Sequence, residues 1–404
     1  MRLPARTSAC ASRVCVLYAC ALLTVHYLFL PYGGYARMME GKFHCYLVLT
    51  LGVLAALFVV APVGPVRLTL PQGCAVAYLG ASALSSLCSP YGAATLLGGS
   101  RREGLAMLAL YVLSDLFLSR FLSKGRLLLW LTALSLTLCC LLTLVQLTGR
   151  NPLWLYPAGL NYYDGDGAYL GFYAGTSGNI DFTAFLLALA LCVLVCAALR
   201  LQRWGLLLPA VPAVWVLWRL DVAAAWVGVA FAAVWGLALL VPGHRRAMLL
   251  LSAVLSALAL VFVACYTGEN ETLSQAHAIL HGAADPSFGS ERLRIWRDCL
   301  PLVRERPLLG GGPDTLWLRG IEPFAWYLPG RVIPSDVTAA HNEYLNILVN
   351  QGALALAAYL GLIASALWRC FRSAAKPRCA VCGAGLLCYA AMAFFSISTC
   401  ITAP

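Results

Sequence analysis

Apolar runs of about 20 residues, the length that crosses a bilayer core of roughly 30 Å, recur along most of this chain and alternate with short polar or basic turns. The pattern predicts membrane spans at Val14–Leu30, Cys45–Ala61, Cys74–Cys88, Leu105–Ser119, Leu127–Leu147, Asp181–Leu199, Gly205–Leu217, Asp221–Val241, Ala247–Tyr266, Glu343–Leu367 and Cys379–Cys400. Two longer polar stretches interrupt it, Thr148–Ile180 and Thr267–Ala340. The expected fold is all-α: a single polytopic membrane domain over residues 1–404, with about eleven transmembrane helices and two elaborated loops. The first run follows Arg2, Arg6 and Arg13 and no small-residue cleavage site comes after it, so it reads as a membrane helix rather than a signal peptide. The chain stops on an apolar stretch, Ser396 to Pro404, which with an odd span count suggests that a twelfth helix is missing.

Inside the larger polar stretch, Gly289–Gly312 has a helical rhythm, with Leu293, Trp296, Leu300 and Val303 recurring every three or four residues. Arg292, Arg294, Arg297, Arg304 and Arg306 occupy the other face. Pro307 ends this helix, and Gly310, Gly311 and Gly312 permit a close backbone turn.

Composition excludes the soluble classes. The 404 residues are 61% hydrophobic and only 11% charged, with a mean hydropathy of +0.80, whereas soluble domains carry about 25% charge. The net charge of +11 is mostly orientation signal, because Lys and Arg collect in the cytoplasmic loops of membrane proteins. With the N-terminus inside, basic residues fall in the turns at Arg67, at Arg120 to Arg126, at Arg200 and Arg203, at Arg245 and Arg246, and at Arg369 to Arg378. Two turns break the rule, one with Arg37 and Lys42 and one with Arg101 and Arg102. This orientation puts both long loops, 148–180 and 267–340, on the extracytoplasmic face of the cytoplasmic (inner) membrane. Membrane lipids are then obligatory partners, and no basic stripe or motif points to nucleic acid. Most of the seventeen cysteines sit in the spans as small hydrophobes, and the larger loop holds only Cys299, so no disulfide framework is expected there. Cys379 and Cys382 form a lone CxxC, a weak signal for zinc.

Polar chemistry is therefore sought in the loops. His341 stands where the larger loop runs into an apolar helix, at the water boundary, where an imidazole can move protons. A histidine at a helix start is, on residue type alone, more often structural. The arginines of the amphipathic helix suit bidentate phosphate binding. They equally suit a solvated face on anionic headgroups, with Glu291, Asp298 and Glu305 as partners, and that second reading is preferred for all but Arg292. Asn342 and Glu343 are suited to cap the following helix, and His277 and His281 lack a third zinc ligand. In the smaller loop, Tyr156, Tyr162, Tyr163, Tyr169, Phe172 and Tyr173 offer faces for sugar rings and Asp164 and Asp166 offer hydroxyl acceptors. An interfacial aromatic belt would look the same.

Three ordered blocks in the larger loop carry a resemblance: Gly289, Ser290, Arg292, Ile295, Trp296; then Pro307, Leu308, Gly310, Gly312; then His341, Asn342, Leu345, Gly352. A fourth, Gly178, Asn179 and Phe182, opens a middle helix. The chain resembles the O-antigen ligase and O-antigen polymerase superfamily, whose members transfer sugars from undecaprenyl-diphosphate-linked donors outside the cytoplasmic membrane. The blocks span about a third of the chain. One position departs from the family pattern, since the arginine expected at the start of the Asp221–Val241 helix is replaced by Ala223, leaving Arg219 one helical turn before it.

The resemblance implies a metal-independent, inverting glycosyltransferase without a cofactor, of the ligase or polymerase kind, serving cell-envelope polysaccharide biosynthesis. Its donor is an undecaprenyl-diphosphate-linked oligosaccharide and its acceptor a glycan, lipid or protein. His341 and Arg292 are the implied catalytic pair, with Arg219, Asn179, Asn342, Trp296, Tyr163 and Asp164 binding substrate. A flippase or exporter of lipid-linked saccharides is the alternative. That class should carry ionisable residues deep in its helices, whereas Asp115 is nearly the only acid placed there.

Overall fold

In a computed structural model of the chain, the described residues are 5–61, 67–123, 125–156, 175–328 and 331–402. Their helices, in order, are α1 (Ala5–Ala21), α2 (Met38–Val60), α3 (Leu70–Leu87), the short α4 (Ala94–Leu97), α5 (Leu105–Phe121), α6 (Gly125–Leu147) and α7 (Ile180–Leu201). There follow α8 (Ala210–Leu220), α9 (Ala223–Leu240), α10 (Arg245–Ala264), α11 (Glu271–Leu280), α12 (Phe288–Glu305), α13 (Glu343–Arg372) and α14 (Pro377–Met392). An antiparallel hairpin, β1 (Phe324–Leu328) with β2 (Arg331–Ser335), sits in the larger loop. The sequence reading had no strand there.

Each predicted span falls at least in part on a helix, and among the described residues 7 helical stretches are long and apolar enough to cross a membrane. The predicted spans at Cys74, Leu105, Gly205 and Cys379 fall on α3, α5, α8 and α14, which are not among those 7. One predicted span is cut short. Instead of running to Cys400, α14 stops at Met392 and the following residues turn back. The Ala393 carbonyl accepts from the Glu343 N–H at 2.8 Å, and the Ser398 N–H donates to Glu343 Oε2 at 2.8 Å. Hydropathy reported burial correctly and conformation wrongly: Ile397, Cys400 and Ile401 are buried among side chains of α1, α2 and α5.

The bundle has two main cores. One surrounds α7, whose buried Ala184, Leu187, Ala188, Leu191 and Leu194 meet α6, α8, α9 and α14. The other joins α1, α2 and α5 to the chain after α14. Helix ends at one end of the bundle are tied by arginine. Arg200 donates to the carbonyls of Leu240, Ala374 and Ala375, and Arg245 donates to Phe371 O, so cations sit where α9 and α13 expose unpaired carbonyls. The starts of α7, α9 and α13 therefore lie at the opposite end.

The feature that positions the site is a break in α13 at Gly352, where φ is +82°. A helix interrupted at membrane depth loses backbone hydrogen bonds worth several kcal/mol each unless protein replaces them. The segment after α12 supplies replacements on both sides of the break. Pro307 O and Leu308 O accept from the N–H groups of Ala353 and Leu354 at 2.9 and 3.3 Å. Gly311 N–H and Gly312 N–H donate to the carbonyls of Val349 and Asn350 at 3.1 and 2.6 Å. Ser85 of α3 adds its hydroxyl to Leu309 O and Asn350 O, and Arg319 Nη1 reaches Val349 O at 2.9 Å. The glycines are required by this closeness: a Cβ on Gly352 would overlap the Leu308 carbonyl, and one on Gly310 would overlap Asn350 O.

Gly352→Ala should therefore lower the thermal midpoint of the detergent-solubilised protein strongly, by an amount equivalent to a few kcal/mol, since it adds both a positive-φ penalty and a backbone clash. A midpoint equal to wild type would show that the break is not held by this interlock.

Candidate active site

The interlock sets the larger loop against the start of α13, and the site is built where they meet. Ile295 and Cys299 of α12 are fully buried against Leu316, Val337, Ala340 and Val349. That packing turns Arg292, one turn earlier, toward the start of α7, where its Nη2 meets Asp181 Oδ2 at 3.3 Å and its Nη1 donates to Gly289 O at 2.9 Å. Arg292 Nε is buried and has no hydrogen-bond partner among the described residues.

Trp296 lies on the same helix. Its indole N–H donates to Ala340 O at 2.9 Å, and its ring meets Phe394 edge to face with centroids 5.5 Å apart. The Ala340 N–H in turn donates to Asn346 Oδ1 at 3.2 Å. Asn342, next but one in sequence, caps α13 by accepting from the Leu345 N–H at 3.1 Å. His341 is thus fixed between two pinned neighbours, in a left-handed conformation with φ +49°. Such a backbone costs on the order of 1–3 kcal/mol for a residue other than glycine and persists only where the surroundings over-determine it.

The imidazole faces a cleft of about 220 Å³ lined by Tyr35, Arg101, Ser177, Asn179, Asp181 and Ser396 among others. Asn179 lines it while its side chain caps α7, accepting from Phe182 N–H at 3.1 Å. A second, larger cavity of about 830 Å³ runs between α9, α10, α11 and α12. Its walls are mostly apolar, with Val227, Leu260, Val263, Ile279 and Leu293, and Asp181, Arg292 and Trp296 stand at its polar end. Asp181 belongs to both cavities, so the apolar groove and the histidine cleft meet at the Asp181–Arg292 pair.

Arg101 was read only as an exception to the charge rule. It reaches the cleft because Asp314, which follows the interlock segment, accepts from the N–H groups of Gly99 and Glu103 at 2.7 and 3.2 Å and so fixes the loop that carries it. Burial raises the Asp314 pKa, with those two hydrogen bonds and the charges of Arg101 and Arg102 opposing it. Arg101 Nε donates to Thr338 Oγ1 at 2.9 Å. Burial and the charges of Arg101 and Arg292, in that order, push the His341 pKa down to about 3, so the imidazole is neutral at physiological pH.

The other candidates fall differently. Arg219 is exposed at the end of α8 and lines neither cavity, whereas Ala223 lines the groove. Asn342 is buried as a cap. Tyr163 and Asp164 lie outside the described residues. Tyr156 is buried, its ring 4.7 Å from that of Tyr35, and offers no sugar platform. Arg294 pairs with Glu291 and Asp298, Arg297 pairs with Asp298, and Arg306 donates to Cys88 O, while Glu305 pairs with Arg319 rather than with its own helix. His277 and His281 stack 4.1 Å apart with their Nδ1 atoms on the carbonyls of Val263 and His277. Asp314 and the returning segment at Ser396 carried no motif that would have singled them out. For Arg101 the signal was its place on the wrong side of the charge rule.

Residues 210–360 match the family described as O-antigen ligase, a stretch that contains Arg292, Trp296, His341 and the whole interlock. With the apolar helices, this match supports an O-antigen ligase family membrane protein engaged in glycan synthesis. No curated protein matches the chain.

The depressed histidine has a stability consequence. An unfolded histidine takes up its proton near pH 6.5 and the folded one only near pH 3, so wild type should lose stability as pH falls through that window. His341→Gln lacks this contribution. The thermal-midpoint difference, wild type minus variant, should shrink between pH 6.5 and 4, and a difference independent of pH would contradict the buried neutral imidazole.

Proposed function

We propose that this protein is a glycosyltransferase that moves a saccharide from an undecaprenyl-diphosphate-linked donor to an acceptor hydroxyl on the extracytoplasmic face of the cytoplasmic membrane. The observation that carries the reading is the meeting of a mostly apolar groove with a polar, histidine-bearing cleft at Asp181, the carboxylate that Arg292 pairs with from the groove side. A lipid-linked sugar has the same order of parts: an apolar tail for the groove, a diphosphate for the guanidinium, and a saccharide for the cleft. The family match, which covers Arg292 and His341, gives the reading its chemistry. The orientation argument from the basic turns supports the extracytoplasmic face.

In this scheme the acceptor oxygen attacks the anomeric carbon as the bond to the diphosphate breaks, and the bonding pair leaves on the phosphate oxygen. Direct displacement inverts the anomeric configuration. The acceptor hydroxyl has a pKa far above neutral, so it benefits from a base, and the imidazole of His341 takes its proton and passes it to water. Burial first, and then the charges of two guanidiniums, hold His341 at low basicity. A bound diphosphate neutralises their charge, which raises the basicity of the imidazole when the donor is in place. Arg292 stabilises the charge that grows on the leaving group. Trp296 positions His341 through Ala340, and Asn179 holds the wall of the cleft. Arginines supply the positive charge that a divalent ion supplies in other transferases. The acceptor is a glycan, a lipid or a protein.

Purified protein incubated with an undecaprenyl-diphosphate oligosaccharide and candidate acceptors should form a new glycosidic bond, and His341→Ala should slow this by about 10²- to 10⁴-fold. A ladder of products marks a polymerase and a single transfer product a ligase. Movement of saccharide across reconstituted vesicles with no bond formed would instead make the protein a transporter.

A further inference from the structure

The charge in the cleft goes beyond a single diphosphate ligand. Arg101 and His341 line the same cavity, and Arg101 comes from the loop between α4 and α5, outside the 210–360 stretch matched to the family. Its Nε is engaged by Thr338, while its Nη atoms make no hydrogen bond among the described residues. The two nearby acids reach Arg101 through charge and not through a hydrogen bond: Asp314 accepts from the Gly99 and Glu103 amides, and Glu103 accepts from Tyr111 OH at 2.9 Å. A guanidinium presented to a cleft with its fork unfilled suits a phosphate, which it binds through two parallel hydrogen bonds. On the other side Arg292 spends Nη1 on Gly289 O and Nη2 on one carboxylate at 3.3 Å, and its buried Nε has no partner among the described residues. A diphosphate carries more charge than one arginine neutralises, and Ala223 brings no cation to the groove it lines.

We infer that Arg101 is a second ligand of the donor's diphosphate, facing Arg292 across the junction of cleft and groove and supplying the positive charge that Ala223 lacks. This rests on the glycosyltransferase reading above. Arg101 acts on the leaving group directly. The Asp314 carboxylate is its positioning residue, through the two amides that fix its loop.

The test needs no knowledge of the sugar. Full-length protein in detergent is titrated with farnesyl diphosphate, and with farnesol as the uncharged control. Wild type should prefer the diphosphate. Arg101→Gln should weaken diphosphate binding about tenfold or more, the loss expected when a charged hydrogen-bonding partner is removed, and leave farnesol binding unchanged. Arg101→Lys should recover part of the loss. Arg102→Gln, at the neighbouring residue paired with Glu40 at 3.4 Å, should bind as wild type. Should Arg101→Gln not fold, wild type alone answers: farnesyl diphosphate, but not farnesol, should protect Arg101 from phenylglyoxal modification as read by mass spectrometry. Loss of binding in Arg292→Gln with unchanged binding in Arg101→Gln, or no protection of Arg101, overturns this inference and leaves the proposed function standing. Equal binding of farnesyl diphosphate and farnesol by wild type overturns both.

Discussion

The organisation of this protein depends on a broken helix. At Gly352 the backbone of α13 leaves the helical path, and in a hydrocarbon environment the freed amides and carbonyls need partners from protein. The Pro307–Gly312 segment provides them, two as acceptors and two as donors. Because that segment is the continuation of α12, the repair also decides where the larger loop sits. Once the loop is docked, Ile295 and Cys299 pack onto α13, Trp296 reaches Ala340, and Arg292 is delivered to Asp181. The glycine-rich motif is thus structural in its contacts and functional in its consequence.

Electrostatics follow from the same docking. The chain leaving the interlock places Asp314 under the loop of Arg101, so one segment delivers a guanidinium to each side of the junction. At the junction two guanidiniums, Arg101 and Arg292, stand against the one carboxylate, Asp181, that lines both cavities, an excess of positive charge that draws an anionic ligand into a partly desolvated cavity. Burial lowers the proton affinity of His341, and this field lowers it further. The left-handed backbone at the same residue is held by its neighbours on both sides, and strain of this kind gathers where a side chain must be aimed rather than merely buried.

Both turns that broke the charge rule have uses at the structural level. Arg101 lines the cleft and Arg102 pairs with Glu40 and lies over Phe43. Lys42 is buried and donates to the carbonyls of His26 and Tyr27, where the helix after α1 ends. A basic residue retained against the orientation signal is thus committed to specific contacts, and such exceptions are informative in a sequence that otherwise obeys the rule.

The sequence by itself determined the helical membrane class, because apolar run length is a direct reading of bilayer thickness, and every predicted span falls at least in part on a helix. It also carried the resemblance to the O-antigen ligase family, whose model residues 210–360 match, because the motif blocks are local in the chain. Of the α12 arginines read as a solvated face, Arg297 and Arg304 are exposed, whereas Arg294 is half-buried against Glu291 and Asp298. Tertiary structure decided the rest. That Gly352 and Gly310–Gly312 are two halves of one interlock depends on hydrogen bonds between segments about 40 residues apart, which no local pattern encodes. The return of the chain after Met392 depends on buried partners in α1, α2 and α5, since hydropathy registers removal from water and is silent on backbone conformation. Arg101, too, acquires its place only when Asp314, more than two hundred residues later, folds beneath it.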